Sequence, residues 1–150
     1  MSQTEAMRST PAQRGGALGL VLAVPVLLLL YLGALVVRLP FVPFDLVLAS
    51  PSSSWSQRLL GVVIFMGGAV LFGALIGRNA ARTTRPAWQV GARTGSFLAV
   101  ALILFELTVG ESAASPGVTA LYLTVLIAGW GLAVGRLLQR TLPGPDQAPA

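Results

Sequence analysis

Five carboxylates and ten cations, all arginine, make up nearly all the ionisable groups of this 150-residue chain. Glu106, in Leu104-Phe105-Glu106-Leu107-Thr108, is the carboxylate that falls inside a long apolar run. A carboxylate in hydrocarbon is expensive to bury alone, so such a residue is a functional candidate by default. Three readings compete for it. Glu106 could line a transport path, reach the interface near Glu111, or pair with Arg38 or Arg58 in a structural ion pair. Asp45 is the second candidate, and its place after Phe44 in a Pro-rich connection suits a helix cap or headgroup contact. Nothing in the spacing of Asp45 and Glu106 brings them together as acid and base. The serines at 52–54 have no histidine anywhere in the chain to activate them, which excludes a Ser-His nucleophile. The absence of Cys excludes disulfides, thiol chemistry and iron–sulfur ligation. Without His as well, the usual zinc sites, haem ligation and imidazole catalysis have no ligands. The sequence therefore implies no cofactor and no enzyme.

Composition says what must position these residues. The chain is 55% hydrophobic and only 10% charged, with a mean hydropathy of +0.79. A soluble domain carries about a quarter charged residues, so a water-soluble core is excluded. The net charge of +5 would suggest nucleic acid in a soluble protein. Here the arginines flank apolar runs, and the lipid bilayer is the expected partner, not nucleic acid.

The fold class expected is an all-α integral membrane protein, an up-down bundle of four transmembrane helices. The first span covers 15–37, too long for a signal peptide, and carries Pro25, which should kink it. The later spans are expected at 59–77, 92–109 and 118–135, preceded by an N-terminal segment at 1–14. The membrane domain thus occupies 15–140, and the Pro-rich tail at 141–150 is expected to be disordered. The connection at 39–49 mixes prolines, aromatics and aliphatics and should lie at the interface, as should Trp55.

Arginine placement orients the bundle. Arg8, Arg14, Arg78, Arg82, Arg85, Arg93, Arg136 and Arg140 fall on one side of it, and only Arg38 and Arg58 on the other. Arg78, Arg82, Arg85 and Arg93 form a polar hairpin over 78–93 between two spans. Such loops stay inside, which puts both termini and this hairpin in the cytoplasm of a cell with a bacterial-type inner membrane.

Small residues recur at four-residue spacing on every span and suit close helix packing. They are Gly15, Gly19 and Ala23; Ala69, Gly73 and Gly77; Gly91, Gly95 and Ala99; and Gly131 and Gly135, with Gly129 and Ala133 beside them. The glycine-rich opening 15–19 starts a membrane span and not a helix after a strand, so it is no phosphate cradle. All four stripes gather toward the cytoplasmic half. Large residues such as Leu28, Leu29, Tyr31, Ile64, Phe65, Phe105 and Tyr122 load the outer half. The expectation is close crossing near the inner face and any pocket in the outer leaflet.

Leu39-Pro-Phe-Val-Pro-Phe-Asp-Leu46 after the first span, and Ala128-Gly-Trp-Gly-Leu-Ala-Val-Gly-Arg136-Leu-Leu-Gln-Arg140 closing the last, carry a resemblance. Over roughly 15–140 the chain resembles the N-terminal membrane region of some bacterial sulfite-oxidase-type molybdopterin oxidoreductases. In that group several spans precede an arginine-led export segment and an exported catalytic domain. The sequence ends at Ala150 without either, so no molybdopterin-binding residue carries over. What the resemblance implies is a membrane module that accompanies or anchors a redox enzyme. The expected function is a non-enzymatic anchor or accessory subunit, with another membrane or redox protein as partner. The alternative is a small homo-oligomeric transporter or channel with Glu106 near its path.

Overall fold

The computed structural model describes residues 9–37, 55–109 and 116–141, and these are helical except at 9–10 and 83–86. Helices α1 (Pro11–Val37), α2 (Trp55–Arg82), α3 (Ala87–Val109) and α4 (Pro116–Thr141) follow in chain order. Each contains a segment long and apolar enough to cross a membrane. The expected interfacial piece at 39–49, the loop holding Glu111 and nearly all of the tail lie outside the described residues.

The helices run beyond the apolar segments expected from the sequence. Helix α1 starts four residues before Gly15, because Thr10-Pro11-Ala12-Gln13 is a capping box. The Thr10 N–H donates to Gln13 Oε1 at 2.8 Å, and the Gln13 N–H donates to Thr10 Oγ1 at 3.3 Å. Pro11 occupies the first helical position, where its missing N–H is not needed. Helix α1 continues through Pro25 as one element. The arginine segment is also less of a loop than expected. Arg78 and Arg82 belong to α2 and Arg93 to α3, and only 83–86 turns the chain. The Pro86 carbonyl accepts from the Gln89 and Val90 N–H groups, which starts α3.

Glycine decides how the helices pair. Helices α1 and α2 form one hairpin and α3 and α4 another, and within each the two backbones touch. The Gly73 carbonyl sits where a Gly15 side chain would be, and the Gly15 carbonyl sits where a Gly73 side chain would be. Gly91 and Gly131 exchange the same reciprocal contact. A carbonyl facing a glycine Cα is the arrangement of the Cα–H···O contacts seen at close helix interfaces. Lipid is as apolar as leucine, so dispersion and such contacts drive the pairing. Gly129 does not take part, because nothing lies within 4 Å of its would-be side chain and it is exposed. Of the two stripes expected on α4, only Gly131–Gly135 is an interface.

The hairpins are built alike, residue by residue. Setting Gly15 on Gly91 also matches Gly19, Leu22, Ala23 and Val24 with Gly95, Leu98, Ala99 and Val100. Setting Gly73 on Gly131 matches Phe72, Ile76, Gly77, Arg78 and Arg82 with Trp130, Val134, Gly135, Arg136 and Arg140. The contacts follow the same correspondence. Gly19 meets the Ala69 carbonyl as Gly95 meets that of Ile127, and Gly77 meets Pro11 as Gly135 meets Ala87. Ile76 and Val134 are both fully buried. The fold is a repeated two-helix hairpin, its copies related by an axis along the bundle.

Helix α4 touches all three others and carries the longest buried stripe, Leu123, Ile127, Trp130, Val134 and Leu138. That stripe meets Ala23, Val26 and Leu30 of α1 and Ala69, Phe72 and Ile76 of α2 in one core. The large residues expected to fill the outer half mostly face away from it. Leu28, Leu29, Tyr31, Ile64 and Phe105 are exposed, while Phe65 and Tyr122 pack against the core.

Candidate functional site

The antiparallel hairpins gather one end of every helix around the turn at 83–86. Arg14, Arg78, Arg82, Arg85, Arg93, Arg136 and Arg140 all belong to this end, and all but Arg14 are exposed. Arg14 is the exception because it is used structurally. Its Nη1 donates to the Thr141 carbonyl at 2.6 Å, and its Nε donates to Ser9 Oγ at 2.9 Å. The guanidinium thereby caps the C-terminus of α4, where the orphan carbonyls and the helix dipole favour a cation. This bond ties the first helix to the last. The other six guanidinium groups are exposed and gather at this end, which is therefore rich in cations. Its chemistry suits phosphate and carboxylate partners.

A shallow groove of about 440 Å³ opens beside these arginines, between α1 and α2. Ala12, Gln13, Gly16, Ala17 and Leu20 form one wall, and Val70 and Ala74 form the other. The pocket expected at the opposite end of the bundle falls beside residues outside those described. There a side chain of α4 packs against α1. Tyr122 on α4 lies where a Gly33 side chain would be, and its hydroxyl donates to the Leu29 carbonyl of α1. The backbone contacts that glycine makes lie toward the arginine end, where the small-residue stripes led one to expect them.

Two of the sequence candidates for chemistry, Glu106 and Arg58, fall at the end away from the arginine face. Glu106 lies three residues before the close of α3 and Arg58 in the first turn of α2, so their backbones share that end. Their side chains, and Arg38 and Asp45 entirely, lie outside the described residues. Among the described residues no three His, Cys, Asp or Glu side chains could together hold a metal ion. The threonine hydroxyls of the spans are satisfied within their own helices. Thr94, Thr108 and Thr124 donate to the carbonyls of Val90, Leu104 and Ala120. Trp130 differs, because its buried indole N–H has no hydrogen-bond partner among the described residues. The ring lies against Phe72, with centroids 4.8 Å apart, and against Phe65 at 6.1 Å.

Two features escaped the initial reading although their signals are in the sequence. The repeat is written in the recurrence of aromatic-Gly-x-x-aliphatic-Gly-Arg-x-x-x-Arg at 72–82 and 130–140. The cap of α1 is written in Thr10-Pro11-x-Gln13, ahead of the apolar run. No protein-family model matches the chain, and no curated protein or solved structure matches it either.

Proposed function

We propose that this chain is a non-enzymatic anchor or accessory subunit of a membrane-associated complex, in a bacterial-type cytoplasmic membrane. The observation that carries the reading is backbone-to-backbone packing within each hairpin. Reciprocal glycine contacts at 15/73 and 91/131 hold the helices together as a rigid scaffold. Around it, large apolar side chains such as Val21, Leu71, Phe97 and Leu121 face outward and suit lipid or a partner's helices. The arginine face lies on the cytoplasmic side in this reading, as positively charged loops do. A redox enzyme is the partner class that the short motifs at 39–46 and 128–140 suggest.

Gentle detergent extraction of the natively expressed protein tests the reading. A stoichiometric partner subunit is the expected result. A homo-oligomer alone, combined with ion flux in vesicles that Glu106→Gln abolishes, would replace it with the transporter reading.

A further inference from the structure

The positions that line the groove between α1 and α2 carry different residues in the second hairpin. The positions equivalent to Ala12, Ala17 and Ala74 are Trp88, Arg93 and Leu132. Gly16 corresponds to Ala92. Both hairpins close on the same glycine contacts; at these four positions the first carries the smaller side chain, while its Leu20 and Val70 correspond to the smaller Ser96 and Ala128. Gly16 is not required by that crossing. A Cβ there would meet Val70 Cγ1 and the Val70 carbonyl at 3.3 Å, a looser approach than the backbone contacts at Gly15 and Gly19. Beside its crossing the first hairpin thus leaves a shallow apolar groove.

The two ends of the groove differ in chemistry. Leu20 and Val70 lie toward the middle of the bundle, and Gln13 toward the arginine end. Arg78 stands one turn beyond Ala74 on the same face of α2 and is exposed. An apolar slot along the helices, leading to a cation and an amide at the interface, has the form of an amphiphile with an anionic head. We infer that this groove binds one anionic phospholipid, its acyl chain along Gly16, Ala17, Val70 and Ala74 and its phosphate at Arg78 and Gln13. Basic pockets between helices at the inner face recognise lipids in this way. The inference rests on the membrane placement proposed above and not on the anchor role.

Native mass spectrometry of the full chain, released from nanodiscs of phosphatidylglycerol or phosphatidylcholine, tests it. One phosphatidylglycerol should be retained per chain, in preference to phosphatidylcholine. Arg78→Gln should lower retention roughly fivefold, the contribution of one arginine near an anionic surface. Its counterpart Arg136→Gln should leave retention unchanged. Ala74→Leu installs the residue that the second hairpin carries at Leu132, and should abolish retention while helicity and melting temperature hold. Equal retention of the two lipids, or equal effects of Arg78→Gln and Arg136→Gln, would overturn the inference. So would a second copy of the chain in place of lipid that Ala74→Leu disperses, which would make the groove a protein interface. Recovery of the protein from cells in the soluble fraction would instead refute the membrane placement. Should Ala74→Leu fail to fold, the arginine pair still decides.

Discussion

Phe72 and Trp130 occupy equivalent places in the two hairpins and lie ring against ring, centroids 4.8 Å apart and planes inclined at 47°. Residues in equivalent positions meet only at the axis that relates two copies. The aromatic pair therefore marks where the hairpins join, and Phe65 extends it on one side. Both rings are more than nine-tenths buried.

This contact should be measurable as a coupling. Phe72→Ala and Trp130→Ala should each destabilise the protein, and the double mutant should lose less than their sum. The shortfall expected for an aromatic pair is about 0.5–1.5 kcal/mol. Reversible unfolding of all four proteins in mixed micelles gives the cycle. Strict additivity would mean that the two rings do not share a contact.

Packing at the glycine crossing should be far less tolerant than the lipid-facing surface. A side chain at Gly73 would collide with the Gly15 backbone, whereas Val63 is 59% exposed. Gly73→Leu should destabilise by more than about 3 kcal/mol, the upper range for overpacking that side chains can absorb. Val63→Leu should stay within about 0.5 kcal/mol. Gly131→Leu should behave like Gly73→Leu, because the repeat gives it the same neighbour. Thermal melts in one detergent compare all three, and equal tolerance would refute the crossing.

Orientation in the membrane can be read by labelling, since the chain has no cysteine of its own. Single cysteines at Ser53, Thr84 and Ser112 would be treated with an impermeant reagent in intact cells. Ser53 and Ser112 should react and Thr84 should not, as the arginine distribution requires. Labelling at Thr84 alone would invert the orientation.

For Glu106 the expected outcome is mild. Its backbone lies near the end of α3, and its carboxylate is read as interfacial or ion-paired. Glu106→Gln should leave assembly intact and change stability by about 0–1 kcal/mol, the scale of exposed ion pairs. Loss of function in a correctly inserted, normally abundant variant would point to transport.

What the sequence by itself determined is set by one-dimensional physics. Apolar runs long enough to span hydrocarbon define four helices, because every backbone group in lipid must be bonded within its own segment. Arginines gathered on alternate connections define one cationic end, and the absence of His and Cys removes whole classes of chemistry. Tertiary structure decided which faces of those helices are inside. In water, hydrophobicity separates core from surface; in lipid it does not, because Leu28 facing outward and Leu30 facing inward are equally at home. Gly129 and Gly131 stand about 200° apart around α4, so only one of them can face α3, and nothing in composition says which. Likewise the groove forms where Gly16 and Ala74 meet across the crossing. Shape complementarity makes those choices, and it exists only once the helices have met.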